Sequence, residues 1–190
     1  SIAGMATPGL QRRLAFPDEW TAEFCQFLGL RSKNALSLIR MLQSTFEHST
    51  EVKQFQGQWL TLSSDAKSNM PTRVNPLGQN CQLGQSFIVG ERVWDVQSKF
   101  RVRFGPLRRK EFDALLPGTD RLTRVAQLIR LYVGVHLDFD IQLELVAEDV
   151  PECMLDGRSS RLGMNTWLIT NIPKTNKDEA IFVLFGQPSC

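Results

Sequence analysis

The sequence predicts an α+β fold of two similar repeated units, each a helical hairpin followed by a small, mostly antiparallel β-sheet with long loops. Three observations carry this. Hydrophobic spacing switches from helical to alternating twice along the chain. The phrase "LGQSFIVG" at 83–90 returns as "LGMNTWLI" at 162–169, and "EF" (23, 111), "LIR" (38, 128) and "FG" (104, 185) recur in the same order, with offsets of 79 to 90. The 190 residues, 42% of them hydrophobic, suit one medium domain or two small ones. The units are expected at 16–104 and 105–190, with 1–15 continuing from a missing N-terminal part. Each is small, so their sheets are expected to pack on one another.

Pro17, followed by Asp18 and Glu19, opens a helix that places Trp20, Phe24, Phe27 and Leu28 on one face and stops at Gly29. Ser32 can cap a second helix carrying Ala35, Leu38, Ile39, Leu42 and Phe46. "EVKQFQGQWLTL" at 51–62 reads as a strand with a bulge or bend at Gly57, and the Ser-, Asn- and Pro-rich stretch 63–81 as a loop. Phe87–Val89 and "KFRVRF" at 99–104 read as further strands.

The pattern then restarts. Pro106 opens a helix with Leu107, Phe112, Leu115 and Leu116, broken by Pro117 and Gly118. Asp120 can cap another with Leu122, Val125, Ile129, Tyr132 and Val133 on one face, ending at Gly134. "DFDIQLEL" at 138–145 alternates, which puts Phe139, Ile141, Leu143 and Leu145 inward and Asp138, Asp140, Gln142 and Glu144 outward. A Gly-Arg-Ser-Ser turn, the second Leu-Gly phrase, the polar loop "NIPKTNKDE" and the strand "AIFVLF" at 180–185 complete the chain.

Catalytic constellations are not apparent. The histidines are His48 and His136, and "GQSFIVG" lacks the glycine spacing of a nucleophile elbow. Cys25, Cys81, Cys153 and Cys190 are scattered, which suits a reducing compartment and offers no zinc spacing. Asp138 and Asp140 could hold a divalent ion, but they read better as the solvated half of a strand. There is no Gly-rich phosphate cradle. No catalytic residue, cofactor or metal is therefore expected. The longest clean apolar run, 180–185, is far below the roughly 20 residues of a spanning helix. "SIAGMATPGL" does not read as a secretory signal, and without an initiator Met the chain is expected to begin inside a longer protein.

With a formal charge of +2, the global field does not imply nucleic acid. One local strip stands out: Lys99, Arg101 and Arg103 alternate with Phe100, Val102 and Phe104. Single strands would need cations and aromatics on one face, whereas alternation separates them. The basic face could instead pair with the acidic face of "DFDIQLEL", in one sheet or on a partner. Of the four tryptophans most are expected in the core, and a surface one would make an interface anchor.

Five separated stretches, "TPGLQRRLAFPDE", "VKQFQGQWLTL", "LGQSFIVGERVWDVQSKFRVRFGPL", "ALLPGTDRLTRVAQLIRLYVG" and "SRLGMNTWL", together resemble the C-terminal two thirds of the TssG family (ImpH, VasB) of type VI secretion baseplate subunits. Phe46-Glu47-His48, where Phe-Gly is frequent in the family, and Met164, where an aromatic is frequent, depart from its pattern. The resemblance implies a non-enzymatic wedge scaffold. One copy would join two copies of TssF, hold TssK trimers and sit near TssE and the VgrG hub. The assembly would be cytoplasmic and docked at the inner membrane, touching the membrane only indirectly and binding no nucleic acid. Partner contacts are expected at Lys67, Met70, Arg73 and Val74 in the first polar loop, at Ile172, Lys174 and Lys177 in the second, and at Lys99, Arg101 and Arg103. The competing expectation is a nucleic-acid-binding module using strand 99–103.

Overall fold

A computed structural model describes residues 15, 20, 23–29, 32–151, 161–169 and 173–183. The elements are α1 (Cys25–Leu28), α2 (Ala35–Phe46), β1 (Thr50–Lys53), β2 (Gln58–Thr61), β3 (Arg92–Asp95), β4 (Lys99–Leu107), α3 (Arg109–Ala114), α4 (Asp120–Val133), β5 (Asp138–Leu145) and β6 (Lys177–Val183), with a 3-10 turn at Ala147–Asp149. The class is mixed α+β, as expected. The chain forms two compact units, Ser1–Gln54 with Phe100–Cys190, and Phe55–Lys99. The proposed opening of a helix at Pro17, the Gly-Arg-Ser-Ser turn, Cys153, Ile172 and Cys190 lie outside the described residues.

The larger unit holds a four-stranded sheet ordered β1-β4-β5-β6. Its outer pairs are antiparallel: Thr50 to Lys53 against Phe104 to Arg101, and Asp140 to Leu143 against Val183 to Ala180. Between them β4 and β5 run parallel, because cross-strand partners climb both strands together. Phe100 stacks on Phe139, Arg101 bonds Asp140, Arg103 meets Glu144, and the Val146 amide donates to the Leu107 carbonyl. A parallel pair needs a long crossover, which α3 and α4 supply.

One face of this sheet is apolar. Phe100, Val102, Phe104, Phe139, Ile141, Leu143, Leu145, Ala180 and Phe182 are buried in one cluster with Leu38, Met41, Leu42 and Phe46 of α2, Phe112 of α3, and Leu122, Val125, Ile129 and Tyr132 of α4. Residues of helical period on α2 and α4 thus meet residues of period two on the strands. The Tyr132 hydroxyl donates to the Asn34 carbonyl and accepts from the Asn34 amide, both at 3.0 Å, which ties α4 to the start of α2.

Several boundaries differ from expectation for local reasons. The cap of α2 is Asn34, whose side chain accepts from the Ser37 amide at 2.7 Å, rather than Ser32. Thr119 caps α4, and Asp120 is its first residue. Pro106 does not open a helix: β4 runs through it to Leu107, and α3 starts at Arg109, where Glu111 accepts from the Arg108 amide. The stretch 51–62 is not one strand, since β1 and β2 belong to different sheets. Phe87–Val89 is not a strand, and the partner of β2 is β3. The last strand begins at Lys177, inside the expected loop.

The largest correction concerns "DFDIQLEL". Its apolar residues are buried as expected, but Asp140 and Gln142 are also buried rather than solvated. Alternation implies a wet face only where nothing covers it, and here the Arg101 guanidinium lies on Asp140 while the Gln142 amide donates to the Asp178 carbonyl of β6.

Candidate partner-binding surface

The smaller unit, Phe55–Lys99, is built on an antiparallel ribbon in which Trp59 faces Trp94. Their rings meet edge to face with centroids 5.3 Å apart, yet they are 60% and 53% exposed. Gly57 makes this possible: a Cβ there would lie 1.9 Å from the Trp94 ring. Phe55 enters the ribbon with φ 58° and a largely exposed ring, a conformation a bulky side chain rarely adopts. The expectation that most tryptophans are core therefore holds for Trp20 and Trp167, which pack on the core cluster, and fails for Trp59 and Trp94.

The connection from β2 to β3 has almost no regular structure but many internal bonds. Asn69 and Gln79 exchange backbone hydrogen bonds of 2.9 Å. The Gln79 side chain donates to the Ser64 and Asp65 carbonyls, and Asn80 donates to those of Asp65 and Lys67. Ser68 donates to the Asn80 carbonyl and accepts from the Ile88 amide. Lys67 pairs with Glu91 at 3.4 Å, joining the beginning of the connection to its end. Amide and hydroxyl side chains thus satisfy a backbone that no strand accompanies. From this frame project Met70, Val74, Leu77, Leu83 and Val89, all strongly exposed.

The two Leu-Gly phrases fold alike. Gly84 and Gly163 take φ of 80° and 76°, in the region that favours glycine. The Gln82 carbonyl accepts from the Gln85 and Ser86 amides at 3.2 and 3.0 Å, and the Arg161 carbonyl accepts from the equivalent Met164 and Asn165 amides at 3.1 and 3.2 Å.

Arg101 and Arg103 of the basic strip lie on the polar face of the sheet and are matched by carboxylates of the same chain. Arg101 donates from Nε and Nη2 to the two oxygens of Asp140, each at 2.9 Å. That bonding, ahead of the opposing effect of burial, raises the Arg101 pKa above its ordinary value. Arg103 reaches Glu144 at 3.0 Å and Glu51 at 3.3 Å. Of the two pairings the sequence left open, the one within a single sheet is realised.

The predicted contact residues fall in three places. Lys67, Met70, Arg73 and Val74 share the loop of the smaller unit, with all but Lys67 well exposed. Lys174 is exposed just before β6, and Lys177 starts that strand, paired with Glu179 at 3.5 Å. Lys99, Arg101 and Arg103 lie along β4. Sequence reasoning missed Phe55, Trp59, Leu77, Leu83, Val89, Trp94, Leu162 and Leu168 as exposed apolar groups. The doubled Leu-Gly phrase was the signal for four of them.

Among the described residues no group of three or more His, Cys, Asp or Glu side chains could hold a metal, and no helix is long and apolar enough to cross a membrane. Cys25 and Cys81 are free thiols. His48 is half-buried and 2.9 Å from Arg121. Its pKa is lowered, first by burial and then by the Arg121 charge.

Residues 1–169 match the family described as "Type VI secretion, TssG". No curated protein matches the chain. Among solved structures, a chain of the type VI secretion TssK-TssF-TssG baseplate subcomplex, determined by cryo-electron microscopy, is similar with a TM-score of 0.74 at 18% identity, over 95% of this chain and 75% of that one. A chain of the baseplate complex from the type VI secretion system is similar with a TM-score of 0.62 at 17% identity, over 99% of this chain and 53% of that one. At such identities the likeness is one of fold, and this chain spans about half the length of the second relative. The family match over most of its length shows that the chain belongs to the TssG family of type VI secretion.

Proposed function

We propose that the chain is a non-enzymatic structural subunit of the type VI secretion baseplate wedge, linking TssF to the adaptor TssK and to the sheath and hub components TssE and VgrG. Membership of the TssG family supports the setting, and the names TssK and TssF come from the assembly in which a chain of like fold was seen. The observation that carries docking is the smaller unit: an internally bonded frame that holds large apolar side chains out to solvent. Scattered exposed apolar residues are ordinary, but several on one ordered connection beside two exposed tryptophans suit a protein partner.

Two copies of TssF and trimers of TssK are the proposed partners, in a cytoplasmic assembly docked at the inner membrane. The halves 16–104 and 105–190 would each offer one long connection. Lys67, Met70, Arg73 and Val74 would act in the first, and Ile172, Lys174 and Lys177 in the second. The nucleic-acid alternative is disfavoured because Arg101 and Arg103 are committed to carboxylates of the same sheet.

Deleting 63–80 or 171–176 and measuring capture of TssK tests the assignment. Each deletion should weaken capture, and the double deletion should abolish it. Undiminished capture by both single deletions would reject the reading.

A further inference from the structure

We propose that an open pocket where the end of α2 meets the start of α4 is a docking site for an acidic segment of a protein partner. One aliphatic side chain of that segment lies on Trp20 and Phe46, and carboxylates on either side of it meet Arg121 and Arg124. No residue of the polar loops or the Leu-Gly turns lines this pocket, and all of its lining residues belong to the larger unit.

The pocket has a volume of about 330 Å³ and is lined by Trp20, Thr45, Phe46, Asp120, Arg121 and Arg124. That is the small end of the range for ligand sites, and it suits one side chain with its neighbouring head groups rather than a cofactor. The wall is aromatic. Trp20 and Phe46 meet edge to face with centroids 6.1 Å apart, Phe46 buried and Trp20 half-buried. Thr45 donates its hydroxyl to the Met41 carbonyl at 2.8 Å, so it brings no free donor to the site.

The charge comes from one helix. Arg121 and Arg124, three residues apart on α4, share a face. Arg121 is held in place: its Nη2 donates to the Phe46 carbonyl at 3.3 Å and lies 2.9 Å from His48 Nε2, which leaves Nε and Nη1 without a partner among the described residues. Arg124 is exposed and has no hydrogen-bonding or charged partner among the described residues. Asp120, the carboxylate in the lining, pairs with neither guanidinium, so the pocket keeps a net positive charge. Arg101 and Arg103 find their carboxylates in their own sheet, whereas these two must take theirs from elsewhere. Guanidinium is weakly hydrated and matches the planar carboxylate, which suits a site with an aromatic wall. Nucleic acid is the poorer match, because a phosphate chain calls for a run of cations along a groove and here Asp120 stands beside the pair.

The test uses the full chain and the capped peptide EELEE, with binding read from the tryptophan indole N–H signals in proton–nitrogen correlation spectra. Titration should shift the Trp20 signal saturably and leave those of Trp59 and Trp94 unmoved. Raising sodium chloride should weaken the binding. The peptides QQLQQ and EESEE, which lack the charge and the aliphatic side chain, should each bind roughly tenfold more weakly. Arg124→Gln should lose roughly as much affinity with cooperative melting intact, because its side chain is exposed and unbonded. Arg40→Gln, exposed on α2 and outside the lining, should bind EELEE as the wild type does. Undiminished binding by Arg124→Gln, equal binding of QQLQQ, or shifts at Trp59 and Trp94 in place of Trp20 overturns the proposal. A thymidine pentanucleotide that shifts Trp20 at lower concentration than EELEE also overturns it, since the pocket would then be a phosphate site. Loss of cooperative melting in Arg124→Gln would make that guanidinium a structural group and overturns it too. Deleting 63–80 removes no lining residue and should leave EELEE binding as it is, whatever becomes of TssK capture, so the two readings stand or fall separately.

Discussion

Asp140 is almost fully inaccessible, and its carboxylate receives two hydrogen bonds from a guanidinium that is itself about one fifth exposed. Removing one partner strands the other charge, so Asp140→Ala should destabilise the fold by about 3 kcal/mol. Arg101→Met/Asp140→Leu removes both charges and should be less destabilising than Asp140→Ala alone, as urea unfolding can check. His48 gives a pH dependence of definite sign. Folding lowers its pKa from 6.5, mainly through burial and then through Arg121, against weaker opposing contributions from Glu111 and Glu47. The folded state therefore prefers the neutral ring. The stabilisation is fully present above 6.5 and is lost as pH falls through that value toward the folded pKa. Between pH 7.5 and 5.5 the wild type should lose more stability than His48→Gln, and equal losses would reject this role.

At the scale of elements, the parts legible in the sequence were those that a single local rule decides. The helical period of Leu38, Leu42 and Phe46, and of Leu122, Val125, Ile129 and Tyr132, located α2 and α4 because a stripe of that spacing has to face a core. Strand pairing is not local. Nothing near Gln142 announces that Asp178 of β6 will lie against it, and so its burial was missed. Trp59 and Trp94 each looked like core residues because a large aromatic normally finds cover, and cover depends on what the ribbon is later set against. Gly57, read from sequence as a bend, also admits the Trp94 ring. Gly57→Ala should push that ring away and break the Trp59–Trp94 edge contact, with a weakened tryptophan exciton couplet in far-ultraviolet circular dichroism. An unchanged spectrum would show that the ring does not need the space.

For the whole molecule, the path of the chain makes the smaller unit an insertion in a hairpin. Lys53 is paired with Arg101, so β1 leaves the four-stranded sheet and β4 re-enters it at adjacent positions. The 45 residues of Phe55–Lys99 lie between. A two-residue Asn-Gly turn between Gln54 and Phe100 would close the same antiparallel pair directly, because that dipeptide suits the twist of a tight hairpin. The core cluster, from Phe24 to Phe182, includes no residue of the excised segment. The shortened chain should therefore fold, with its far-ultraviolet helical signal retained and a single cooperative thermal transition. A shorter loop also lowers the closure entropy of the hairpin, though only weakly. Capture of TssK should fall, since the first polar loop is gone. Failure of the excised chain to melt cooperatively would mean that the ribbon is needed for the fold, and its exposed tryptophans would then have to be explained by stability rather than by docking.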